Sequence, residues 1–195
     1  MKKLFAFLAT AMLALMLVGC GGEKKEAPKA DAKSDKWVVA INSTFPPFES
    51  VKEGTKEYQG VDIDIAEYLA KKMNKKIEFT DMKFASLVPT LQSGRADVII
   101  SAISPTDERM KVVDFSKPYY FPMKALICKK GANIDSMAKL KGKKAGASMG
   151  TTYAKDLKSA GGIEVVELDT TPLVVQDIKN GRLAAGLFDS SQAAV

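Results

Sequence analysis

Val98-Ile99-Ile100-Ser101-Ala102-Ile103-Ser104-Pro105-Thr106-Asp107-Glu108-Arg109 opens as an apolar strand and runs out into polar residues that end on one arginine. A buried strand that stops this way delivers its last side chains to a sheet edge, where open α/β sheets bind small ligands. Pro105 restricts Ser104 to an extended backbone and holds the turn in one arrangement. Arg109 then offers a planar fork of donors suited to a carboxylate. Its alternative reading is a surface arginine in a weak ion pair with Asp107 or Glu108.

Upstream of this stretch the pattern alternates. Trp37-Val38-Val39-Ala40-Ile41 reads as a strand, and Asn42-Ser43-Thr44-Phe45-Pro46-Pro47-Phe48 as a fixed, extended loop. A helix follows Gly60, with Val61, Ile65, Leu69 and Met73 as its apolar stripe and Asp62 and Asp64 in the first turn, where negative charge suits the helix dipole. Ile77 to Thr80 is a strand. Phe84 to Ser93 is a short helix with Leu87, Val88 and Leu91 inward, ended by Gly94. Downstream the alternation restarts: a strand over Ala125 to Cys128, a helical turn over Met137 to Leu140, and a strand over Lys143 to Ala147. A helix from about Tyr153 to Ser159, a strand over Glu164 to Leu168, a helix over Pro172 to Asn180 and a strand over Leu183 to Phe188, terminating at Asp189, complete it. Strands alternating with helices signal βαβ sheets, so the fold class is α/β. Leu91-Gln92-Ser93-Gly94-Arg95 is echoed by Ile178-Lys179-Asn180-Gly181-Arg182, each leading into an apolar strand. The echo predicts that Arg109 and Asp189 belong to two separate sheets that face one another.

The 195 residues, 46% of them apolar, are enough for a real core. The chain contains no histidine, which excludes His-dependent triads and His-ligated zinc. Cys128 follows an apolar run and reads as an inert core thiol; no cysteine-based metal site is left, and no cofactor is expected. The formal charge of +6 is spread over scattered lysines and gives no nucleic-acid footprint.

At the start, Met1-Lys2-Lys3 precedes an apolar run from Leu4 to Val18, too short to span a bilayer and flanked like an export signal. Leu17-Val18-Gly19-Cys20 resembles the lipobox of bacterial lipoproteins, which implies a signal peptide over residues 1–19 and a lipid on Cys20. Residues 20–36 lack large apolar side chains after that cysteine and read as a flexible tether, reaching on the order of 20 Å.

The succession of Phe45-Pro46-Pro47-Phe48, Gly60-Val61-Asp62-Ile63-Asp64-Ile65-Ala66, Leu91 to Asp97, Thr106 to Arg109, Val113-Asp114-Phe115-Ser116, Pro118-Tyr119-Tyr120, Leu140-Lys141-Gly142-Lys143 and Gly150-Thr151-Thr152 resembles the polar amino-acid substrate-binding proteins of bacterial ABC importers. The resemblance runs from about Trp37 to the end. It implies a two-lobed periplasmic-binding-protein-like (type II) fold, with residues 37–122 in lobe 1 and 123–195 in lobe 2. It also implies that the chain, ending at Val195, lacks the remainder of lobe 2 and the helices that return to lobe 1. Carried onto this sequence, Arg109 clamps the ligand carboxylate with the amides of Ser104 and Thr152, next to Gly150. The Ser104 hydroxyl, the Ala102 carbonyl and Asp189 hold the ammonium group. Phe45 and Phe84 stack on the side chain, for which ordinary core packing is the alternative. Asn42, where many relatives carry Asp, Ser148 and Phe188 help choose the side chain, and Ala184 stands where an acidic residue is usual.

Each charge of a zwitterion must be paired in a closed cleft, because one left alone costs several kcal/mol. Arg109 and Asp189 on opposite lobes therefore make closure depend on the ligand, each charge otherwise keeping its water. The function expected is a monomeric, extracytoplasmic, lipid-anchored receptor that hands an amino acid to permease subunits, without catalysis. A ligand-sensing module and a dehydratase of prephenate-like acids are the alternatives. The dehydratase needs an acid or base in the cleft, and Asp189 is the one carboxylate the sequence offers there.

Overall fold

Strand β1 (Lys36–Ile41) is followed by a meander of β2 (Thr44–Phe45), β3 (Glu49–Val51) and β4 (Tyr58–Gln59), and then by α1 (Val61–Lys72), β5 (Lys76–Asp81), α2 (Leu87–Gln92), β6 (Val98–Ile99) and the single turn α3 (Asp107–Met110). After a crossover segment come β7 (Lys124–Cys128), β8 (Lys144–Ser148), α4 (Thr152–Ala160), β9 (Glu164–Leu168), α5 (Thr171–Lys179) and β10 (Ala185–Asp189). This computed structural model describes residues 35–194. The expected signal peptide, Cys20 and all but the last two residues of the expected tether lie outside them.

Two sheets carry the architecture. In the first, β1 lies between β5 and β6, parallel to both. In the second, the order is β7-β10-β8-β9, with β7 antiparallel to β10 and the other neighbours parallel. A strand covered on both faces needs a continuous apolar run, which is what β1 has. Val39 and Ile41 pack with Ile63 and Ala66 of α1, whereas Ala40 packs with Leu87 of α2 and with Ala96. The second sheet is built alike. Ala185 and Leu187 pack with Ala154 and Leu157 of α4, and Phe188 with Val174 and Ile178 of α5. Leu87 and Leu157 are fully buried, each contributing about 1.5–3 kcal/mol relative to exposure in water.

The helix and strand pattern read from the sequence is present, with three corrections. Lys36, assigned to the tether, begins β1 and pairs with Glu78 at 2.7 Å. The loop after β1 is not simply extended, because it folds into the antiparallel β2-β3-β4 meander. The third concerns α1: Val61 (45%), Leu69 (38%) and Met73 (46%) are exposed, and the buried residues are Asp62, Ile63, Ala66 and Ala70. Two alanines let the helix approach the sheet closely, and this turns the face by one residue from the bulkier stripe. Cys128 is half-buried and donates its thiol to the Ile134 carbonyl, consistent with a packing role.

Candidate ligand-binding site

The repeated helix, glycine and strand sequence sets the two ends of the site. Helices α2 and α5 stop shortly before Gly94 and Gly181, and β6 and β10 then carry the chain to Ser101 and Asp189. The echo is imperfect: Asp97 accepts the Val38 N–H at 2.8 Å, a bond that the corresponding Ala184 has no side chain to make. A cavity of about 280 Å³ is lined by residues from both sheets, a size suited to a molecule smaller than a typical drug. Arg109 and Asp189 both line it.

Arg109 sits on α3, whose start is capped by the Thr106 hydroxyl accepting the Arg109 N–H. Its guanidinium donates to the Ser104 carbonyl at 2.8 Å and to the Gly150 carbonyl at 2.8 Å, and lies 5.3 Å above the Phe84 ring. No ion pair engages it among the described residues; Glu108 is taken by Lys155. The surface ion pair considered for Arg109 is therefore not formed. Burial pulls its guanidinium below the ordinary arginine value, with Glu108 opposing, and a guanidinium so placed still carries its charge.

Asp189, at the end of β10, is 1% exposed. Its Oδ1 accepts from the Tyr120 hydroxyl at 2.9 Å and the Ser191 N–H at 2.8 Å, and its Oδ2 from the Tyr153 hydroxyl at 2.9 Å. Burial first, then the hydrogen bond to Asp189, holds both phenols above the ordinary tyrosine range. The expectation that each charge keeps its water is thus corrected for Asp189, which is buried among protein donors, whereas Arg109 is half-buried and has protein acceptors as well. A buried carboxylate held only by neutral donors retains an uncompensated charge that a cation can relieve.

Of the other residues assigned from sequence, Asn42, Phe45, Phe84, Ala102 and Ser104 line the cavity from the first sheet's side, and Ser148, Thr152 and Phe188 from the second's. Gly150 does not line it but accepts from Arg109. Phe45 also stacks on Phe48 at 5.7 Å, so ring packing and cavity lining coexist there. Thr151 caps α4, its hydroxyl accepting the Ala154 N–H at 3.3 Å and donating to the Ser148 carbonyl at 2.6 Å. The start of that helix sits beside the cavity, with Thr151, Thr152 and Tyr153 lining it, an arrangement suited to an anion. Tyr120, Tyr153 and Thr171 were missed. The tyrosine-rich Pro118 to Pro122 run was the available signal for the first; nothing local marks the other two.

Across the cleft, Lys83 pairs with Asp169 at 2.7 Å and Lys155 with Glu108. These exposed pairs are worth little individually. Among the described residues no group of metal-ligating side chains could hold an ion, and no helix is long and apolar enough to cross a membrane.

Residues 37–186 match the family described as bacterial extracellular solute-binding proteins, family 3. The chain is 33% identical over 192 residues to the arginine-binding extracellular protein ArtP of Bacillus subtilis (strain 168), an alignment covering 97% of this chain and 73% of that protein. Among solved structures it is similar to an ancestral arginine-binding protein bound to arginine, with a TM-score of 0.79 and 38% identity over 82% of this chain and 72% of that one. It is also similar to an ancestral arginine-binding protein bound to glutamine, with a TM-score of 0.77 and 40% identity over 80% and 70% of the two chains.

Proposed function

The chain belongs to family 3 of the bacterial extracellular solute-binding proteins, and on that premise we propose that its cleft captures a polar L-amino acid for delivery to the permease of an ABC importer, without chemistry. The observation that carries this reading is the cavity wall itself: a guanidinium without an ion pair from one sheet's side and a carboxylate held by neutral donors from the other's. That is the complement of an α-carboxylate and an α-ammonium. Ser104, Ala102 and the Thr152 amide supply the remaining polar contacts, and Phe45 and Phe84 flank the side chain. Division into lobes at about residue 122 fits the two sheets.

The wall, which Lys117 also lines, favours a side chain without positive charge. Asp189 is the one carboxylate lining the cavity among the described residues, and the ammonium group takes it. Asn42 is neutral, its amide donating to the Met82 carbonyl at 2.7 Å and accepting from Thr44 at 2.8 Å. Ser148 and Thr171, whose hydroxyls are 3.1 Å apart, add neutral partners. A thermal-shift screen of the common amino acids, followed by calorimetry, tests this. Ligand at about a hundred times its Kd stabilises by about 2.7 kcal/mol, which for a chain of this size raises Tm by about 5–10 °C. L-Glutamine is expected to bind more tightly than L-arginine. Tighter arginine binding removes the neutral preference, and no shift with any amino acid sinks the receptor reading.

We further propose an extracytoplasmic location, with the chain held at a membrane by lipid on Cys20. Cys20→Ser is expected to move the protein from the membrane fraction to the soluble one; continued sedimentation with membranes counts against the anchor.

A further inference from the structure

Behind the Ser101–Ala102 part of the cavity wall the structure buries two carboxyl groups that the reading of the cleft does not use. Glu49, at the start of β3, is 1% exposed, and Asp62, in the first turn of α1, is fully buried. Ser101 donates its hydroxyl to Glu49 Oε1 at 2.5 Å while accepting the Asn42 N–H at 3.0 Å. Asp62 Oδ2 accepts the Ala102 N–H at 2.6 Å, and its Oδ1 accepts the Tyr119 hydroxyl at 2.9 Å. The remaining oxygen, Glu49 Oε2, has no donor among the described residues.

Two adjacent negative charges cannot both persist in such surroundings without a cation. A proton on Glu49 Oε2 removes one charge and supplies a donor to Asp62. Burial, then the Asp62 charge, push the Glu49 carboxyl up to about 10, with Asp81 adding to the rise and the Ser101 hydrogen bond opposing it. The other titratable groups that feel this pair are Asp81 and Tyr119, neither of them cationic. Ala102 meanwhile holds φ at +43°, a left-handed conformation that a residue with a Cβ keeps only when its surroundings impose it.

We propose that Glu49 and Asp62 are a positioning pair for the ligand: one shared proton ties the Ser101–Ala102 backbone to Tyr119 and so fixes the part of the cavity wall that these three residues build. The role rests on the reading of the cleft as an amino-acid site. It gives the site an alkaline limit, because loss of the proton forces the two carboxylates apart. The folded chain keeps this proton where the unfolded chain releases it. Its stabilising share is therefore whole below the ordinary carboxyl range and is lost as pH rises towards about 10.

The test uses the full chain with L-glutamine and L-arginine as probes. Without ligand at about pH 8, the infrared spectrum is expected to contain the C=O stretch of a buried carboxylic acid that Glu49→Gln removes. With whichever probe binds the wild type, Glu49→Leu is expected to weaken affinity about ten-fold or more. Glu49→Gln, whose amide still donates to Asp62, is expected to recover most of that loss. Between about pH 8 and 10 the wild type should lose affinity faster than Glu49→Gln, which has no proton to release there. An infrared band that survives Glu49→Gln, equal damage from Leu and Gln, or parallel pH profiles would overturn the pair. If neither probe nor any other common amino acid binds the wild type although the band is present, the amino-acid reading has failed and the positioning role with it, leaving only the shared proton.

Discussion

Arg109→Ala is expected to weaken amino-acid binding by about a hundred-fold or more, which calorimetry on the purified chain would measure directly. Breaking a buried charge pair from one side costs about 3–5 kcal/mol, because the surviving charge is left in a desolvated site. The ligand carboxylate is that surviving charge. Arg109 is well placed to have such an effect: its guanidinium already lies between the Ser104 and Gly150 carbonyls and against the Phe84 ring, without an ion pair. Arg109→Lys is expected to recover only part of the affinity, since an ammonium keeps the charge but loses the two-pronged geometry. The fold should survive both changes, as α3 is a single turn outside the buried clusters. An affinity for Arg109→Ala within about three-fold of the wild type would remove the residue from the site and leave the zwitterion argument without its anion partner.

The parts of this molecule that the sequence makes legible are those governed by local pattern. Strand β9 runs from Glu164 to Leu168 as read, and the helices bounded by Gly94 and Gly181 stop where those glycines indicate. Ser101 and Asp189 reach one cavity at the ends of two similar βαβ units, and Arg109 follows the first of them on α3. What escapes is set by contacts between residues far apart in the chain. Asp62 reads as a helix-dipole charge, yet its partners are 40 and 57 residues away at Ala102 and Tyr119. Tyr120 and Asp189 are separated by 69 residues. Such contacts leave no trace in the periodicity of α1, whose bulkier stripe faces outward while the alanine face brings Asp62 inward.

Gly60→Ala is expected to lower Tm by about 10 °C or more and to reduce ligand binding, because this glycine lets the β2–β3 loop cap the start of α1. No side chain caps the helix at Gly60. Instead the Val61 N–H donates to the Pro47 carbonyl at 3.1 Å and the Asp62 N–H to the Phe48 carbonyl at 2.9 Å. These are two of the helix's otherwise unpaired first amides. A Cβ at Gly60 would lie 2.2 Å from the Phe48 oxygen and 2.7 Å from the Pro47 oxygen, both backbone atoms that no rotamer change can move. The backbone at φ 128° and ψ 174° is also in a region essentially reserved for glycine. Strain of about 1–3 kcal/mol and the loss of two hydrogen bonds at about 1 kcal/mol each together account for about 3–5 kcal/mol. That is a large share of a typical domain's stability, and it corresponds to the stated fall in Tm. Pushing the Pro47–Phe48 segment away also pulls on the adjacent Glu49 and on Asp62, so the binding defect should accompany the thermal one. Gly54→Ala is the control: its φ is +73° but a Cβ there meets nothing within 4 Å, and only the left-handed backbone penalty of about 1–2 kcal/mol remains. Melting followed by circular dichroism would decide the point, and a Gly60→Ala protein melting no lower than Gly54→Ala would show that the loop is not what holds this end of the helix.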